Sequence, residues 1–282
     1  MKHIYEINTA VWLTRLSVEH GKMITLATIP EEEIERMVNF GIDTVWLMGI
    51  WQRSPLAAEI NAADERLVRA IRQILPDFAP GDIIGSAYAI KHYAIDERFG
   101  NKHDLRKFRE RLASHSIKLL LDFVPNHTAF DHPWIHEHPE RYITSPSGEP
   151  VGTHQFRRCD NRYIANGQDP SFAPWPDVAQ LNAFSPSYRS GAIETLYDIA
   201  SLCDGVRCDM AMLVLPDVFK RTWGEEAPLF WPEAIRRVRE VVPDFCFMAE
   251  VYWDLEWTLQ QQGFDYAYDK RLYDRLKELH PP

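Results

Sequence analysis

Basic residues are in short supply. Against 41 aspartates and glutamates stand 31 lysines and arginines, and the formal charge of −10 disfavours nucleic acid or an anionic membrane surface as partner, because both select concentrated positive charge. An uncharged ligand such as a sugar is compatible with it. Cysteine is scarce too: the four (Cys159, Cys203, Cys208 and Cys246) form no C-x-x-C pair, so neither a zinc site nor a disulfide framework is indicated. Cys203, Cys208 and Cys246 lie in apolar runs and read as small core residues. No apolar run reaches the ~18 residues that a bilayer-spanning helix needs. The opening Met1-Lys2-His3-Ile4-Tyr5-Glu6 has no apolar leader followed by small residues, so a cytoplasmic setting is expected. Internal repeats and low-complexity tracts are also missing.

What is present is the composition of a folded domain. The chain is 45% hydrophobic and 26% charged, and its 282 residues suffice for one large α/β domain as readily as for two smaller ones. Six short apolar runs rich in β-branched and aromatic residues fall at 3–13, 44–48, 117–124, 202–210, 245–251 and 264–268. Helical patterns separate them, which predicts a parallel sheet with helices outside it.

The helices carry start and stop signals. Pro30 followed by Glu31, Glu32 and Glu33 places a proline and three acids in a first turn, where they complement the helix dipole, and Gly41 stands where that helix should be capped. Leu105, Phe108 and Leu112 give 104–114 a helical spacing, and 232–242 repeats the form. Residues 131–185 break the rhythm. They are rich in Pro, Gly, His, Asn and aromatic residues without a clear period, and a plain loop of that length is unusual. The segment reads as a subdomain inserted after the third strand, between a first part at 1–130 and a continuation at 186–282.

In parallel β/α folds ligands bind at the carboxyl ends of the strands, so polar residues closing apolar runs are the first candidates. Three runs end this way: Asp122 through Asn126 and His127, then Gly205-Val206-Arg207-Cys208-Asp209, then Ala249-Glu250. Side chains alternate across a strand, so Arg207 and Asp209 should project to one face. If the fourth and fifth strands pair at the usual ~4.8 Å, Asp209 and Glu250 are held near the ~5 to 5.5 Å carboxyl separation of retaining glycosidases. Arg207 favours the charged form that a nucleophile at Asp209 requires. Glu250 closes an apolar strand with no basic neighbour in sequence, so a raised pKa would suit it to proton donation as the acid/base. An Arg–Asp pair at one strand end often does no more than close a barrel, but three such motifs in order argue for chemistry.

In that order the motifs resemble the α-amylase family of glycoside hydrolases, family thirteen, and the likeness runs over almost the whole chain. Asp122, Asn126 and His127 match its D-x-x-x-N-H; Gly205, Arg207 and Asp209 match its G-x-R-x-D; Glu250 matches its strand-end acid. Gly85-Ser86-Ala87-Tyr88, with Tyr93 and Phe99-Gly100, resembles the approach to the family's third strand. The resemblance implies a (β/α)8 TIM-type barrel and a retaining α-glycosidase acting on α-glucosidic oligo- or polysaccharides through a covalent glycosyl-enzyme. It also implies substrate contacts from Tyr88, as an aromatic platform under the sugar, and from His127, Arg207 and Asp122.

The likeness has gaps. The family's fourth motif, an H-D pair ending the seventh strand, is not found; His103-Asp104 has the letters but opens a helix, where Asp104 reads as a cap. Six runs are two short of eight, so an incomplete barrel is expected, its missing C-terminal part a necessary partner and the chain alone weakly active or inactive. The chemistry requires no cofactor. Asn126 matches a position that binds calcium in many family members, yet Gln180, in Val178-Ala179-Gln180-Leu181-Asn182, stands where calcium-binding relatives often carry Asp, and an amide is the weaker ligand for a hard cation. A lysine–histidine pair that many amylases carry after the nucleophile is replaced by Met210-Ala211-Met212-Leu213, which leaves starch endo-hydrolysis unspecified.

Three other readings compete. One is a metal-dependent enzyme using His127, His132, His136 and His138, although histidines in an irregular polar stretch are more often solvated than liganded. Another is a sugar-binding barrel without catalysis, in which Phe156, Tyr163, Phe172 and Trp175 form a stacking wall; most of these read as a small local core. The third is a transglycosidase, which shares the covalent intermediate and differs in what attacks it.

Overall fold

The computed structural model describes residues 3–224 and 226–279. Six strands, β1 (Ile4–Asn8), β2 (Thr44–Met48), β3 (Lys118–Phe123), β4 (Gly205–Cys208), β5 (Cys246–Ala249) and β6 (Tyr266–Ala267), lie side by side in chain order. Every pairing is parallel, and the sheet is curled into part of a barrel. The six predicted runs are the six strands, with one correction. The first run was too long: β1 stops at Asn8, whose side chain accepts the Val11 N–H and caps a helix over Thr9–His20. The apolar residues Val11, Trp12 and Leu13 are therefore helical.

Alternation decides what each strand buries. Val45, Leu47, Leu119, Leu121, Val206, Cys208 and Phe247 point outward and are wholly buried beneath the helices. Full burial of a Leu or Phe side chain stabilises by roughly 2 kcal/mol. Trp46, Leu120 and Met248 point inward and form a second, smaller cluster with Ile4, Tyr266 and Tyr268. Of the covering helices, Glu31–Asn39 ends as expected: Gly41 takes φ +67° and its N–H returns to Val38 O at 2.9 Å. Lys102–Ser114 begins two residues earlier than predicted, with Asn101 as its cap and Asp104 accepting the Asn101 N–H at 3.0 Å. Asp104 is thus a helix-start residue. Trp231–Val241 lies one residue ahead of its expected span.

Two additions sit on the carboxyl side of the sheet. A short antiparallel pair, Trp51–Arg53 with Ile90–Ile95, follows β2 and brings Tyr88 to its base. Between β3 and β4 the irregular segment 131–185 supplies Trp175–Gln180, Arg162–Gly167, Thr144–Ser145 and Phe156–Cys159 to an antiparallel sheet whose remaining strand, His127–Ala129, lies just ahead of it. A register shift between Trp175 and Ala179 explains why no period of two shows in its sequence. No helix among the described residues is long and apolar enough to cross a membrane.

Candidate active site

Each candidate acid follows directly on a strand. Cys208 pairs with Ala249 across β4 and β5, so Asp209 and Glu250 leave the sheet side by side. Their main chains stay linked, the Asp209 N–H bonding to Phe123 O and the Glu250 N–H to Cys208 O. Both are buried, at 4% and 8% exposure.

Arg207 organises the cluster. Its Nη1 donates to Asp209 Oδ1 at 2.6 Å and its Nη2 to Glu250 Oε2 at 2.7 Å, while Asp122 Oδ1 lies 3.6 Å from Nη1. Glu250 therefore does have a basic neighbour, one that β4 supplies from across the sheet rather than along the chain. The guanidinium is 3% exposed and faces three rings, with its Cζ 4.8 Å from the centre of Tyr88, 5.0 Å from Trp46 and 5.7 Å from Tyr268. Its Nε donates to the Tyr268 hydroxyl at 3.2 Å. Coulombic attraction to three carboxylates outweighs desolvation and holds Arg207 charged.

The electrostatics differ among the acids. Burial pushes the Glu250 carboxyl above its ordinary value, and the negative charge of Asp209 adds to this; Arg207, the Tyr252 hydroxyl and the Met210 N–H oppose it. The direction agrees with the one expected from the apolar strand that Glu250 closes, and the charge of Asp209, brought beside it by strand pairing, is a second cause that the sequence did not reveal. Asp122, fully buried, is pushed up to about 7 by desolvation despite Arg207, the Gly49 N–H at 2.7 Å and the Trp46 indole N–H at 3.1 Å. Burial lowers His127 to about 4, so its ring is neutral. The neutral ring stands edge-on to Trp175, with centroids 5.4 Å apart.

Backbone strain gathers at the same place. Met210, directly after Asp209, takes φ +42° and aims its N–H at Glu250 Oε2, 2.8 Å away; Trp253 and Asp254 take φ +63° and +62°. A cavity of ≈ 410 Å³ opens beside them, lined by Met210, Phe172, Tyr252, Trp253, Lys270 and Arg271 among others. Of the aromatic residues of the insertion, Phe172 reaches this cavity, whereas Tyr163 packs over Gly148. Sequence reading missed Tyr252, Tyr268 and the Met210 N–H. Alternation pointed to the first, since Tyr252 is two residues from Glu250.

The remaining candidates separate. Asn126 is buried, but its Oδ1 and main-chain O, with Leu181 O, are taken by the Gln180 side chain, so the residues present do not fit a calcium ion. His132 is buried and its Nδ1 accepts the Trp134 N–H; His136 faces Asp160 and His138 faces Glu140. Among the described residues no three or more His, Cys, Asp or Glu side chains are grouped to hold a metal.

The curled parallel sheet of six strands, with buried acids at its carboxyl ends, defines the class: part of a TIM-type β/α barrel with a strand-end site. The catalytic-domain model of the α-amylases matches residues 31–172, half of the chain, and the chain belongs to the α-amylase family. It is 28% identical over 199 residues to alpha-1,4-glucan:maltose-1-phosphate maltosyltransferase 2 of Streptomyces coelicolor, covering 67% of this chain and 26% of that protein. It is 25% identical over 191 residues to alpha-amylase 3 of Dictyoglomus thermophilum, covering 66% and 37%. Among solved structures, a maltogenic α-amylase of Thermotoga neapolitana superposes with a TM-score of 0.61 at 24% identity, covering 98% of this chain and 51% of that one. An acarbose complex of the Geobacillus thermoleovorans α-amylase gives 0.60 at 20% identity, covering 98% and 53%. The chain thus spans about half the length of these solved structures and less of the curated relatives.

Proposed function

We propose that this chain carries the nucleophile and the acid/base of a retaining glycosidase acting on α-glucosidic oligo- or polysaccharides. One observation carries the reading: Asp209 and Glu250 end paired parallel strands and share the two terminal nitrogens of Arg207. Asp209 attacks the anomeric carbon, the bond to the leaving oxygen breaks, and Glu250 gives that oxygen its proton. Water, deprotonated by Glu250, then releases the sugar from Asp209. Tyr88, His127, Arg207 and Asp122 serve the bound sugar or the charges around it, and residues 131–185, inserted between the parts at 1–130 and 186–282, contribute a wall.

The test is to trap the intermediate. A fluorinated α-glucosyl fluoride, which forms the glycosyl-enzyme faster than water releases it, should label the chain at Asp209, and peptide mass spectrometry reads the site. An adduct on any other residue would overturn the assignment. Turnover by the 282-residue chain alone is expected to be weak, because β1 and β6 each pair on one side only and no H-D pair joins the two acids among the described residues.

A second reading is glycosyl transfer, in which a sugar hydroxyl replaces the water. The cavity walled by Phe172, Tyr252 and Trp253 favours it, because its lining includes Met210 and Tyr252, both hydrogen-bonded to Glu250, and an acceptor held there would lie close to the acid/base. Product analysis with added maltose separates the two.

A further inference from the structure

The strand Trp175–Gln180 runs antiparallel to His127–Ala129 with Gln180 opposite His127, so the Gln180 side chain lands against the segment leaving β3. It is completely buried. Its Nε2 donates to Asn126 Oδ1 at 2.9 Å, Asn126 O at 3.0 Å and Leu181 O at 3.0 Å. Its Oε1 accepts from the Gln168 N–H at 3.1 Å and from Asn126 Nδ2 at 3.3 Å. These partners fix the amide's orientation, since a main-chain N–H only donates and a carbonyl only accepts; a flipped amide would set like against like on both sides.

Three oxygens converging on one electropositive centre is an arrangement a hard cation seeks. Here the centre is an amide nitrogen, and no space is left for an ion unless the side chain moves out. We infer that the Gln180 amide takes the place of a divalent cation between the segment after β3 and the antiparallel sheet, making this tie permanent and independent of calcium. The amide supplies N–H bonds where a cation would supply charge, and it is never released by a chelator. One residue holds the choice. An aspartate at 180 is shorter by a methylene, would still accept the Gln168 N–H, and would leave three oxygens and its own carboxylate facing a vacated centre. That is a ligand set for calcium, with water completing the shell.

The test uses the whole chain and needs no catalysis. Thermal midpoints are measured in chelator and in millimolar calcium chloride, with calcium binding followed by calorimetric titration. The natural chain should give the same midpoint in both solutions and no titration heat. Gln180→Leu, which removes both donors and acceptor, should melt several degrees lower and stay blind to calcium. Gln180→Asp should melt low in chelator and recover several degrees in calcium. Calcium binding by the natural chain that is lost in Gln180→Leu would overturn the inference. So would a Gln180→Leu chain as stable as the natural one, or a folded Gln180→Asp chain indifferent to calcium.

Discussion

The Tyr252 hydroxyl donates to Glu250 Oε1 across 2.5 Å. The other oxygen, Oε2, already accepts from Arg207 Nη2 and the Met210 N–H, two groups that can only donate. A proton on Glu250 must therefore sit on Oε1, where Tyr252 accepts when the acid is protonated and donates once the proton has left.

Replacing Tyr252 by Phe removes a hydrogen bond to the ionised form. The Glu250 pKa, already raised by burial and by Asp209, should rise further. Carbon-13 titration of glutamate-labelled protein, with the Glu250→Gln variant to assign the signal, checks this. Superimposable curves for natural and Tyr252→Phe chains would show that the hydroxyl has no hold on the acid.

Arg207 neutralises a cluster that would otherwise be three buried carboxyls. Arg207→Met should destabilise the chain by about 3–5 kcal/mol, the usual cost of leaving a buried charge without its partner. Arg207→Lys should recover part of that, since one ammonium cannot reproduce the fork that holds Asp209 and Glu250 on separate nitrogens. Urea unfolding measures both. An Arg207→Met midpoint equal to that of the natural chain would mean that the acids are solvated and the cluster is open.

How much of this was legible depends on the range of each interaction. The strands carrying Asp122, Asp209 and Glu250 showed as apolar runs because the outward side chains are buried under helices and the inward ones form a second cluster. The parallel order followed from alternation with helices. What could not be read was set by contacts across the sheet: Arg207 reaching Glu250, Trp46 donating to Asp122 over 76 positions, and Tyr268 accepting from Arg207 over 61. The antiparallel sheet after β3 stayed hidden because its strands are short, bulged and polar. Its one informative departure was Gln180, a single letter whose meaning needed the three oxygens around it.

Acid should destabilise the fold through its buried histidines. Burial lowers His127 to about 4 and His132 to about 3 from the ordinary 6.5, so the stability they contribute is complete above pH 6.5 and is lost as pH falls toward those values. Between pH 6.5 and 4 each withdraws up to roughly 3 kcal/mol. Asp122 acts in the opposite sense, since a carboxyl raised to about 7 gains on acidification. The comparison must therefore be between variants: His132→Gln should flatten the fall in urea midpoint from pH 6.5 to 4 relative to the natural chain. Parallel curves would mean that His132 is not held neutral by the fold.

Gly205 sets how closely the two acid-bearing strands approach. A Cβ there would sit 2.5 Å from Cys246 O and 2.6 Å from Cys246 Cβ, both fixed parts of β5, so no side-chain rotation relieves the clash. Gly205→Ala must push β4 away from β5, at a cost of about 1–3 kcal/mol. The clash lies at the first pair of the two strands, and a separation carried along them to the last pair, Cys208 with Ala249, should loosen the hydrogen bonds from Arg207 and the Met210 N–H to Glu250. Gly81→Ala is the control, because nothing lies within 4 Å of a Cβ at that position. Thermal midpoints should fall for Gly205→Ala and hold for Gly81→Ala, and the amide resonances of Met210 and Glu250 should shift in the first variant alone. If Gly205→Ala left both the midpoint and these resonances unmoved, the spacing of Asp209 and Glu250 would have to be set by something other than strand contact.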